Sequence, residues 1–104
     1  MAFVQMMTYT TTKRDEMDAA TRRWVTDTDE VSRVRRRLLL RERGTEDQFV
    51  EIVFFDSYED AMHNSTLPAT AAMSRAFDEL SGDGFHFENF DLVDDDERDE
   101  RWQP

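Results

Sequence analysis

The order of its periodic segments constrains this chain most: an alternating segment, a long helical stretch, two alternating segments joined by a tight turn, a broken helical stretch, and a last alternating segment. That is a βαββαβ chain. Phe3 to Thr10 sets Phe3, Gln5, Met7 and Tyr9 on one side and Val4, Met6, Thr8 and Thr10 on the other. Apolar groups fall on both sides, as in a central strand. Thr12 with Asp15 three residues on has the spacing of a capping box, and Met17, Ala20, Trp24 and Val31 recur at helical spacing. A first helix from about Lys13 to Glu30 is predicted. Val34, Leu38 and Leu40 then interleave with arginines at period two, until Arg43-Gly44-Thr45-Glu46-Asp47 turns the chain.

The run Phe49-Val50-Glu51-Ile52-Val53-Phe54-Phe55 is β-branched and aromatic almost throughout. A strand so composed is covered on both faces. The helices suffice for one face only, so a second copy of the chain is expected on the other, with Val53 among the positions it covers. Ser57-Tyr58-Glu59-Asp60 repeats the capping spacing, and the helix it opens breaks at Asn64-Ser65-Thr66-Leu67-Pro68. Helical spacing resumes with Met73, Ala76, Phe77 and Leu80 and ends at Ser81-Gly82-Asp83-Gly84, before a last strand from Phe85 to Val93. One domain over residues 1–93 is expected, followed by an acidic tail over 94–104 that is solvated and mobile. Trp102 is the odd residue there, since an indole in a solvated acidic tail exposes apolar area unless it docks.

Composition narrows the partners. A net charge of -11 over 104 residues repels phosphate backbones and anionic lipid, so neither nucleic acid nor membrane is expected. Without cysteine there is no disulfide, thiolate metal site or thiol nucleophile, and an unstapled domain suits the cytoplasm. The first residues lack the basic and apolar stretches of a signal peptide, and no apolar run reaches bilayer length.

From Phe49 to Leu80, the strand ending in Phe54-Phe55, then Ser57 with its acidic neighbours, Ala61-Met62-His63-Asn64-Ser65 and the amphipathic helix resemble the dimeric α+β barrel proteins, in particular antibiotic-biosynthesis-monooxygenase-like domains. The resemblance implies an α+β, ferredoxin-like protomer with an antiparallel sheet, packed sheet to sheet in a homodimer. It also implies functions that include cofactor-independent oxygenation of polycyclic phenols, haem degradation and isomerisation. The haem-degrading branch carries an asparagine on the first strand and a tryptophan at the end of the third. Here Gln5 or Thr8, and Phe54 or Phe55, stand at those places, and Ser32-Arg33 replaces a glycine common at the start of the second strand. Haem binding is thus the third option, behind a cofactor-free monooxygenase and a non-catalytic dimeric binding domain.

His63 stands where the resemblance expects a histidine, and imidazole is the side chain most easily poised as a base near neutrality. Tyr58 and Asn64 are the donors expected to steady an anion, and no cofactor is called for. A pocket for a small aromatic ligand is expected from Gln5, Tyr9, Trp24, Phe54, Met73, Phe77 and His86, with His86 and Glu88 sharing a strand face. The bland alternative makes the aromatic residues and methionines ordinary core, and His63 a surface residue. Arg33, Arg35, Arg36, Arg37, Arg41 and Arg43 form a basic stripe that either holds an anionic group of a substrate or pairs with Glu51, Glu88 or Asp91 while protecting an edge strand.

Overall fold

The computed structural model describes residues 2–82 and 84–96. Strand β1 (Phe3–Thr10) leads to helix α1 (Arg14–Thr28), strands β2 (Arg36–Arg41) and β3 (Gln48–Phe55), helices α2 (Tyr58–Ser65) and α3 (Pro68–Leu80), and strand β4 (Phe85–Asp91). The four strands form one antiparallel sheet in the order β2-β3-β1-β4. β1 and β3, richest in apolar residues, take the centre. Each βαβ crossover skips one strand, so α1 and the α2–α3 pair return over the same face. The α+β ferredoxin-like fold expected from the sequence is the fold observed.

Local chemistry explains the boundaries. Ser57 caps α2 by accepting the Asp60 N–H at 3.1 Å, and Pro68 opens α3 at a first-turn position after an extended Leu67. α1 departs from the expected capping box. Lys13, not Thr12, precedes it without a side-chain cap; Thr11 Oγ1 accepts the Lys13 N–H at 2.9 Å and donates to the Leu80 carbonyl at 2.8 Å. The hydroxyl thereby ties the start of α1 to the end of α3. Val31 lies beyond α1 and is exposed, contrary to its place in the helical spacing. The β2–β3 turn uses Gly44 at φ 87°, a left-handed conformation that glycine adopts without strain. β4 ends at Asp91, although the Leu92 N–H still bonds to the Ala2 carbonyl at 2.9 Å. Glu97 onward, including Trp102 of the expected tail, lies outside the described residues.

Alternation divides the sheet into two faces. Phe3, Met7, Tyr9, Phe49, Glu51, Val53 and Phe55 are buried beneath the helices. They build two groups: Phe3, Met7, Val53 and Phe55 with Ala61, and Tyr9 and Phe49 with Met17 and Phe77. On the opposite face Val4 lies across from Phe54 and Phe90, Met6 from Ile52 and Leu38 from Ile52, all without a helix above them. Val53 therefore faces the helices, not a partner, because strand side chains alternate strictly and Ile52 and Phe54 take the other side.

Candidate active site

Between sheet and helices lies a cavity of about 170 Å³. Gln5 and Met7 of β1, Glu51, Val53 and Phe55 of β3, and Phe87 of β4 form its floor. Thr21 and Trp24 of α1, Asn64 of α2, and Thr70 and Met73 of α3 form its walls. The helix break shapes the walls: Pro68 starts a new direction, and α3 packs along α1 while Phe77 reaches the sheet. Trp24 Nε1 donates to Thr70 Oγ1 at 2.8 Å, fixing the indole across the two helices. Most of the lining is apolar, with a few polar groups at set points, the usual make-up of a small-molecule site.

Glu51 is the unusual group in that lining. Its side chain is only 4% exposed, and Arg37, diagonally across on β2, donates from Nε to Oε1. Oε2 is buried without a hydrogen-bond partner, the only such side-chain atom found among the described residues. Burial pushes the Glu51 carboxyl above the ordinary carboxylate range, against the opposing charge and hydrogen bond of Arg37. A half-satisfied buried carboxylate is costly, and such groups concentrate where a site needs them.

The structure places the expected site residues unevenly. Gln5, Trp24, Asn64 and Met73 line the cavity. Asn64 is engaged at both ends: its Oδ1 accepts the Arg33 N–H at 2.9 Å and its Nδ2 donates to Ser32 Oγ at 3.0 Å. Its amide latches α2 to the segment before β2. His63, one position earlier and so turned about a hundred degrees around α2, sets Nε2 3.0 Å from the Val31 carbonyl and does not line the cavity. Tyr58 is exposed, edge-on to Phe3 at 5.3 Å between centroids. The expected convergence of His63, Tyr58 and Asn64 does not occur, because at 3.6 residues per turn positions 58, 63 and 64 project in three different directions around α2.

Phe54 and His86 are corrected as well, since strand alternation turns both to the face away from the helices, where His86 lies across from Thr8. Tyr9 and Phe77 are core. Tyr9 stacks between Phe49 and Phe85 at 5.8 and 5.7 Å, with Phe77 also 5.8 Å away. Half of the arginine stripe is ion-paired, Arg33 with Asp60, Arg35 with Asp56 and Arg37 with Glu51, while Arg36 lies over the Phe54 ring. Sequence reasoning saw Glu51 only as a counter-ion for that stripe. Its signal was there to find: one charge within a seven-residue apolar run, in phase with Phe49, Val53 and Phe55.

Burial, and then the charge of Glu51, push the Tyr9 phenol from 10.0 up to about 12, against Arg37 and Arg14. Below pH 10 this group leaves stability unchanged. Between 10 and about 12 the unfolded chain gives up the proton first, so stability falls as pH rises. In Tyr58→Phe, which leaves Tyr9 as the one tyrosine of the chain, absorbance should show no phenolate until pH nears 12 or the protein unfolds. Ionisation at 10 in the folded protein would contradict the buried stack.

No family model and no curated protein matches the chain. Solved structures do, and they define the class of fold as that of antibiotic-biosynthesis-monooxygenase-like proteins. SnoaB, a cofactor-independent oxygenase from Streptomyces nogalater, superposes with a TM-score of 0.76 at 17% identity, covering 90% of this chain and 95% of its own. A candidate antibiotic biosynthesis monooxygenase from Caulobacter crescentus CB15 gives 0.76 at 14% identity over 89% and 91%. Rv0793 from Mycobacterium tuberculosis gives 0.75 at 12% identity over 91% and 98%. At these identities the likeness establishes the fold.

Proposed function

We propose that this protein is a cofactor-independent monooxygenase-like enzyme whose substrate is a small phenolic or polyketide-type aromatic compound. The observation that carries this reading is the apolar cavity with a buried carboxylate in its floor, on a fold shared with a named cofactor-independent oxygenase. Size refines the substrate. A cavity of about 150 Å³ accommodates benzene, so about 170 Å³ suits one ring, or two with the second towards the exposed Phe87. A haem macrocycle is far too large for that space.

In the proposed reaction a ring made electron-rich by loss of a proton reduces dioxygen directly. For a ring methylene beside a carbonyl, the CH2 becomes C=O, one oxygen atom entering the product and the other leaving as water with the two hydrogens. The chain's contribution is orientation and exclusion of water: Trp24 and Met73 confine the ring from the helix side, and Met7 and Val53 from the sheet.

The reading includes a cytoplasmic homodimer joined through the uncovered sheet face, supported by the apolar set Val4, Met6, Leu38, Ile52 and Phe54. Among the described residues no helix is long and apolar enough to cross a membrane.

An oxygen electrode with a panel of one- and two-ring hydroquinones tests the enzymatic part. Saturable uptake is expected, falling at least about tenfold in Met73→Trp, which fills the cavity, and unchanged in His63→Ala. Absence of uptake across the panel, with ligands still bound, would replace the enzyme by a non-catalytic binding protein.

A further inference from the structure

The polar atom that the fold leaves unused points to how a ligand is held. Arg37 occupies Oε1 of Glu51, while Oε2 has no partner and its carboxylate lines the cavity. A backbone amide or a hydroxyl could have satisfied it. The flanking residues across the sheet are instead Met7 and Leu39, which offer no donor side chain. Ionised, this carboxylate is an acceptor only, so the protein leaves it short of a donor in the very space where a ligand would bring one.

We infer that Glu51 Oε2 receives the acidic hydroxyl of the ligand and takes its proton, making Glu51 the general base of the cavity, with Arg37 as the counter-ion of the anion produced. This rests on the reading of the cavity as an aromatic site, though not on turnover. The transfer balances: the ligand O–H bond breaks, an Oε2–H bond forms, and the electron pair stays on the ligand as phenolate or enolate. The charge of the assembly is unchanged, because the carboxylate becomes neutral as the ligand becomes anionic and Arg37 remains cationic. Arg37 also lines the cavity and is therefore available to the new anion.

Two features favour the step. A raised carboxyl is a stronger base, and the shift moves it towards a phenol, whose ordinary value is about 10. The nearby Tyr9 hydroxyl does not compete as proton donor, since its own proton is held more tightly than an ordinary phenol's. A carboxylate that merely anchored Arg37 would show no preference between a phenol and its ether.

The experiment uses para-nitrophenol, whose phenolate is yellow, and its methyl ether, which has the same ring and no proton. Held below the phenol's own pKa, the bound phenol should take on the phenolate spectrum in the native protein and bind at least about tenfold more tightly than the ether, as sites that use a ligand hydroxyl do. In Glu51→Gln the yellow form should vanish and the preference fall to within about twofold. If both probes bind the native protein alike, with the phenol colourless, Glu51 is not the base while the cavity reading stands. If neither binds, the cavity reading itself fails and this inference with it. A colourless bound phenol in the native protein overturns the assignment even if Glu51→Gln does not fold.

Discussion

Phe77→Ala is expected to lower unfolding free energy by about 3–5 kcal/mol, the usual cost of removing a buried phenyl ring. Phe77 is 2% exposed and meets Tyr9 and Phe85 at 5.8 Å from each centroid, the point where α3 seals one end of the sheet. Two rings lose a common neighbour at once. The surrounding strands are hydrogen-bonded into the sheet and cannot close over the void, which places the cost in the upper part of that range. A domain of this size has about 5–15 kcal/mol in total, so the variant should sit near its folding threshold. Urea unfolding would show the midpoint displaced with the slope retained. A midpoint shift equivalent to less than about 1 kcal/mol would mean that α3 is not fixed by this contact.

How far the sequence discloses this molecule depends on which periodicity is consulted. The βαββαβ order was legible because each segment repeats at 2 or 3.6 residues over most of its length, and Pro68 and Gly44 punctuate it at positions with one structural reading. Direction within a segment was harder. In Phe49 to Phe55 both phases are apolar, so nothing in the hydrophobic pattern tells Val53 from Ile52, and the face was assigned wrongly. Glu51 is the one mark that separates the two phases, yet an acidic residue in the run suggests solvent and the fold buries it instead. His63 misled for a related reason. A resemblance marks a residue on α2, but a one-position rotation decides whether a ring meets the cavity or a loop carbonyl, and Asn64 is the residue that turns inward. Tertiary ties such as Thr11 to Leu80 leave no local sequence trace at all.

That one-residue ambiguity makes the sharpest test of the dimer. Ile52 and Val53 are adjacent on β3, yet Ile52 lies between Met6 and Leu38 on the uncovered face while Val53 is buried under the helices. In a lone protomer an aspartate at position 52 stays within reach of water, so Ile52→Asp should fold with nearly native circular dichroism. In a homodimer joined sheet to sheet the same carboxylate would be sealed against its symmetry mate, or against Met6 and Leu38 of both copies, with no counter-ion. Two-fold symmetry brings two such charges into one interface, so association should weaken by at least about a hundredfold. Val53→Asp places its charge beside the cavity within each protomer and should unfold the chain whatever its oligomeric state. Analytical ultracentrifugation separates the cases: native dimer, folded Ile52→Asp monomer and unfolded Val53→Asp are expected together. A native chain that sediments as a monomer at all concentrations would remove the partner from the reading. An Ile52→Asp chain that remains dimeric would move the interface to another surface, leaving the apolar set of the open sheet to be explained by a different occupant.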